Sequence, residues 1–157
     1  MFETFTPETR RAFVSAVGES RLRGARRVGT EHLLLGLLHA DAEPASRALG
    51  VDLAAGRDTL DRLDQAALAA VGVDVTGLHH PGPLPAAPKR PTLTSGARTV
   101  LTQAAHDASD AKGRRITTGH LLLALLAADQ PDSAAVLLAE LGVNRNEVRE
   151  RLAASGA

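Results

Sequence analysis

Gly29-Thr30-Glu31-His32-Leu33-Leu34-Leu35-Gly36-Leu37-Leu38 returns further along as Thr117-Thr118-Gly119-His120-Leu121-Leu122-Leu123-Ala124-Leu125-Leu126. His32 and His120 stand 88 residues apart. The same offset aligns Thr6 with Thr94, Arg10 with Arg98, Ala16 with Ala104, Arg26-Arg27 with Arg114-Arg115 and Asp41 with Asp129. Agreement at so many positions marks an internal repeat. The register then slips: Leu49-Gly50-Val51 matches Leu141-Gly142-Val143 at an offset of 92, so the second copy carries four more residues in its middle.

Every segment around this stretch fits a helix. The Leu-rich body is apolar nearly all round, as a central buried helix should be, with Thr30 and Thr118 as its expected caps. Upstream, Thr6-Pro7-Glu8 combines a capping hydroxyl, a first-turn proline and a first-turn acid, and Thr94-Ser95 opens the equivalent helix. Downstream, Gly50 and Gly142 close short helices, and Asp52 and Asn144 open the last helix of each copy. No window alternates as a half-buried strand does. The expected architecture is all-α: two pseudo-symmetric four-helix repeats packed as one globular domain. Repeat one covers 1–63 and a helical insert covers 64–78. A Pro-rich linker over 79–91 holds five of the eight prolines, and repeat two covers 92–157.

Composition narrows the function. The 157 residues hold 18 Lys plus Arg and 18 Asp plus Glu, a formal net charge of zero with His neutral. That argues against a basic nucleic-acid binder and against an acidic disordered tail. With no cysteine, thiol catalysis and disulfides are excluded. With three Phe and no Trp or Tyr, stacking on single strands has little to work with. No apolar run approaches the ~20 residues of a membrane span, and the N-terminus lacks the apolar core of a signal peptide. A soluble cytoplasmic protein is the expectation. No Gly-x-Ser-x-Gly context, no P-loop and no paired carboxylates in a plausible cleft occur, so no enzymatic activity is expected.

The opening Phe2-Glu3-Thr4-Phe5-Thr6, the Gly29-Thr30-Glu31-His32 motif with its aliphatic run, and the repetition of the unit together resemble the N-terminal (Clp R) domain of the ClpA/ClpB/ClpC class of AAA+ unfoldases. The likeness is nearest to the ClpC N-domain. It covers nearly the whole chain apart from the insert and linker, and the chain looks like a free-standing N-domain similar to small Clp-repeat proteins of high-GC bacteria. The resemblance implies a non-catalytic module that binds substrates or adaptors for a Clp unfoldase. It further implies recognition of phosphoarginine or, alternatively, a decoy role that sequesters cyclic peptide antibiotics. A third reading, from a different class, is an anion or nucleic-acid binder using Arg21, Arg23, Arg26 and Arg27 with Lys112, Arg114 and Arg115.

On that resemblance, Glu31 faces the guanidinium of a phosphoarginine and Thr6 its phosphate, with Thr94 as the second-copy hydroxyl. A carboxylate for the guanidinium and helix N–H groups for the phosphate are what such a ligand needs. The plain structural alternative is that Glu31 is a first-turn acid and Thr6 a cap. The position equivalent to Glu31 is Gly119, so one of two family sites lacks its carboxylate. The expected peptide face combines Phe2, Arg10, Phe13, Val14 and Val17 with Leu93, Arg98, Leu101 and Thr102. For Phe13 and Val17 the alternative is simple core packing. His32 and His120 are expected to be hydrogen-bonded structural histidines. No metal or cofactor is expected, and His79-His80 sits in the linker without a third ligand.

Overall fold

The computed structural model describes residues 4–75, 90–111, 113 and 115–156. Among them are eight helices: α1 (Pro7–Leu22), α2 (Thr30–Leu38), α3 (Pro44–Leu49), α4 (Leu53–Ala70), α5 (Ser95–Asp110), α6 (Thr118–Ala127), α7 (Ser133–Glu140) and α8 (Arg145–Ala154). Helices α1 to α4 and α5 to α8 are the two repeats.

Thr6 caps α1 by accepting from the Thr9 amide, and Thr94 caps α5 by accepting from the Ala97 amide, each at 3.2 Å. The caps of the central helices lie one residue earlier than expected, at Gly29 and Thr117. The reason is the histidine at the third helical position. His32 Nδ1 accepts from the Gly29 amide at 2.9 Å, and His120 Nδ1 accepts from the Thr117 amide at 3.2 Å. Each imidazole thus takes the part that Glu or Gln plays in a capping box. Gly50 closes α3 in the left-handed region, at φ 70°.

Helices α2 and α6 form the centre. Leu33, Leu34, Leu35, Leu37 and Leu38 of α2, Leu121, Leu122, Leu125 and Leu126 of α6, and Leu137 and Leu138 of α7 are fully buried. The first helix of each repeat lies across its own central helix: α1 on α2, and α5 on α6. The α1–α2 crossing is close because α2 carries Gly36. A Cβ there would meet the Ala12 carbonyl and come within 2.9 Å of Ala16 Cβ.

Two isolated parallel bridges stitch the repeats together, Phe5 to Ile116 and Val28 to Leu93. The 88-residue offset carries Phe5 onto Leu93 and Val28 onto Ile116, so each bridge is the image of the other. Each repeat's opening segment is therefore bound to the loop before the other repeat's central helix. Cross-repeat bonds continue at Thr30 Oγ1, which donates to Asp132 Oδ1 at 2.9 Å, and at Arg151 Nε, which donates to the Ala48 carbonyl at 2.8 Å. One shared core follows from this interlacing.

Residues 64–70 of the expected insert continue α4 without a break, and all seven are exposed. Residues 76–78 of the insert, and the linker up to residue 89, lie outside the described residues.

Candidate functional site

Three helix N-termini meet on one side of the molecule, those of α2, α5 and α7. The Thr94 amide donates to the Val28 carbonyl at 3.0 Å, which sets the start of α5 beside the turn into α2. A Cβ on Gly96 would lie 2.9 Å from Asp132 Oδ2 and 3.4 Å from Thr30 Cγ2, so the first turn of α5 also abuts the cap of α7. Asp132 Oδ1 accepts from the Ala134 amide at 2.9 Å, and Thr30 Oγ1 accepts from that amide at 3.1 Å.

Glu31 projects from the first turn of α2 into this corner, with its side chain 19% exposed. Burial pushes its carboxyl above the ordinary carboxylate value. The negative charges of Asp132 and Asp64 push it the same way, while the backbone amide and the Ser133 hydroxyl oppose them. Glu31 Oε1 lies 3.1 Å from His32 Nδ1, whose lone pair is already committed to the Gly29 amide. Burial is the main cause holding the His32 pKa down to about 4, so this imidazole is neutral at physiological pH and does not offset the carboxylate.

Thr6, which the resemblance paired with Glu31, belongs to the opposite corner. Its amide donates to the Ile116 carbonyl at 3.0 Å, beside the start of α6, where Gly119 replaces the acid. Sequence comparison within one repeat could not reveal this exchange, because it depends on how the two repeats interlace.

The expected peptide face divides. Phe13 (2% exposed) and Leu101 (4%) are core residues, with Phe13 against Phe5 at a ring separation of 5.9 Å. The helical period turns both inward. Val17 and Leu93 are half-buried and pack on the core. Arg10, Val14, Arg98 and Thr102 are exposed, Val14 at 62%. Arg98 and Thr102 border an open recess of about 330 Å³ with Thr99, Gln103 and His106. Phe2 lies outside the described residues.

Of the basic run, Arg26 and Arg27 are exposed. Arg23 is 9% exposed and tied to α4, with Nη2 2.6 Å from Asp61 Oδ1 and Nη1 3.3 Å from Asp64 Oδ2. Lys112, Arg114, His79 and His80 lie outside the described residues. Among those described, no group of three or more His, Asp or Glu is placed to hold a metal ion, and no helix is long and apolar enough to cross a membrane.

Sequence reading missed Glu19. It is 2% exposed and accepts from Arg57 Nε at 3.2 Å on both carboxylate oxygens and from Arg57 Nη2, while His39 Nε2 lies 2.7 Å from its Oε1. These partners hold its carboxyl below the ordinary value even though burial, the largest influence, raises it.

A paired four-helix repeat with interlaced openings is the class of fold that these elements define. Solved structures share it. The N-terminal domain of the chaperone ClpD from Arabidopsis thaliana superposes with a TM-score of 0.72, at 21% identity over 100% of both chains. The Hsp104 N-terminal domain from Candida albicans gives 0.64, at 19% identity over 94% of this chain and 88% of its own. The profile of the Clp repeat (R) N-terminal domain matches residues 4–74 and 92–155, and the chain belongs to that family.

Two curated relatives agree. A probable ATP-dependent Clp protease ATP-binding subunit of Chlamydia pneumoniae is 31% identical over 156 residues. The negative regulator of genetic competence ClpC/MecB of Bacillus subtilis is 31% identical over 152 residues. The matches take in 97% and 95% of this chain, which spans 16% and 18% of those relatives' lengths.

Proposed function

We propose that this chain is a non-catalytic recognition module of the Clp system that binds substrates or adaptors, with phosphoarginine as the recognised group. The observation that carries the reading is the corner where the N-termini of α2, α5 and α7 meet, with Glu31 in the first turn of α2. Asp132 bears on Glu31 with like charge, which a guanidinium relieves. The first N–H groups of α5, at Ser95 and Gly96, have no intrahelical carbonyl to bond and suit a phosphate. The opposite corner lacks the acid, because Gly119 replaces it, and has one N–H fewer, because Pro7 stands where α5 has Ser95. A single site with Glu31 and Thr94 is the expectation. Titration with an arginine-phosphorylated protein and its dephosphorylated form tests it: binding should require the phosphate and be lost in Glu31→Gln.

A second reading, a decoy for cyclic peptide antibiotics, is supported by the exposed Val14 beside Arg10 and by the recess at Arg98 and Thr102. Val14→Asp should abolish that binding and leave the Glu31 corner untouched. An anion or nucleic-acid reading is weaker, since Arg23 is held by Asp61 and Asp64.

A further inference from the structure

The two repeats finish their central helices differently. In repeat two the Leu126 carbonyl accepts from Arg145 Nη1 at 3.2 Å and from Arg149 Nη2 at 3.0 Å, and Arg145 Nη1 lies 3.8 Å from Asp129 Oδ1. The repeat offsets map Leu126, Asp129, Arg145 and Arg149 onto Leu38, Asp41, Leu53 and Arg57. Repeat one therefore keeps the carbonyl and the carboxylate but carries Leu53 in place of the first arginine. Its second arginine, Arg57, is turned towards the buried Glu19. An open recess of about 410 Å³ lies at this α2–α4 corner, bordered by Leu38, His39, Asp41, Asp52, Leu53 and Arg57.

Charge and shape point to one occupant. Glu19 neutralises Arg57, and among the described residues no cation is paired with the exposed carboxylates of Asp41 and Asp52 at the rim. Asp52 accepts from the Ala55 amide at 2.7 Å. We propose that this recess binds an unmodified arginine side chain presented by a partner protein. Its guanidinium would lie between the Leu38 carbonyl and Asp41, as Arg145 lies in repeat two, and its methylene stem would run along Leu53. Arginine fits better than lysine because the planar fork reaches a carbonyl and a carboxylate together, and its stem packs on apolar surface. A phosphorylated arginine is disfavoured, since its phosphate would face Asp41 and Asp52. The site is separate from the Glu31 corner and rests on no part of that reading.

The test is an amide-shift titration of the ¹⁵N-labelled full chain with acetyl-Ala-Arg-Ala-amide, and with the same peptide carrying citrulline, which is uncharged. Saturable shifts at residues 38–41 and 52–54 are expected, about tenfold weaker with citrulline as a charge-assisted bond is lost. Leu53→Arg gives repeat one the residue that repeat two already carries at this position, so the variant should stay folded and lose the shifts. Asp41→Asn should weaken them, and Glu31→Gln should leave them unchanged. No saturable shift, equal binding of the citrulline peptide, or full binding by a folded Leu53→Arg variant would overturn the proposal.

Discussion

The Thr94 amide donates to the Val28 carbonyl at 3.0 Å, and this bond sets which hydroxyl shares a corner with Glu31. Val28 is only three residues before Glu31, whereas Thr6 is bound to Ile116 at the other end of the pseudo-twofold. Phosphoarginine affinity should therefore fall in Thr94→Ala, by about 1.5–3 kcal/mol for a lost hydrogen bond to a charged group, and stay unchanged in Thr6→Ala. Calorimetric titration of the two variants reads the contrast, and a loss confined to Thr6→Ala would mean that Glu31 works with the opposite corner.

Gly36→Ala should destabilise the chain by about 1–3 kcal/mol, the usual cost of overpacking. The added methyl meets the Ala12 backbone and Ala16, neither of which is the flexible end of a side chain. Repeat two carries Ala124 at the same place, so its first two helices already cross with that methyl present. Urea denaturation of Gly36→Ala beside Ala124→Gly reads the contrast, with Gly36→Ala losing stability by backbone displacement and Ala124→Gly by a lost methyl and a looser helix.

Thr30→Val should cost about 1–2 kcal/mol despite its matched shape. The hydroxyl is buried, donates to Asp132 and accepts from the Ala134 amide, so its loss removes a bond between the repeats and weakens the cap of α7. A denaturation midpoint within error of the parent would show that the link contributes nothing.

Acid should weaken the fold in a defined window. The His32 pKa is about 4 in the folded chain, below its unfolded value of 6.5. Below pH 6.5 the unfolded chain takes up a proton that the folded chain refuses until about pH 4. Stability present above pH 6.5 is therefore lost as pH falls towards 4, by up to about 3 kcal/mol from this group. Glu19, whose folded value is lowered, adds a loss in the same direction below its ordinary value of 4.5. Glu31, whose folded value is raised, acts oppositely and gains stability as it protonates. His32→Gln, which keeps an acceptor for the Gly29 amide, should flatten the decline between pH 6.5 and 4. An unchanged slope in that variant would remove His32 as the cause.

Much of the fold is legible in the residues, because helix caps, glycine stops and the Leu-rich runs are local signals that occur twice. The two histidines read correctly as structural, and their shared offset is what made them conspicuous. The interlacing is not local. Nothing in the stretch around Val28 or Ile116 says which opening segment it will bind, so Thr6 and Glu31 read as partners when the fold separates them. Phe13 and Leu101 sit beside exposed arginines in sequence, yet a helix turns successive residues to different faces, and these two turn inward. Glu19 escaped notice because a lone acid late in a helix resembles any solvated one until Arg57 and His39, brought in from α4 and from the end of α2, close over it.

The most direct measurement is a calorimetric titration of the full chain with free phosphoarginine, repeated on Glu31→Gln and Thr94→Ala. One site per chain, lost in Glu31→Gln and weakened in Thr94→Ala, is the predicted result. Two equivalent sites, or binding that survives Glu31→Gln, would contradict the single-corner account, and so would no binding at all.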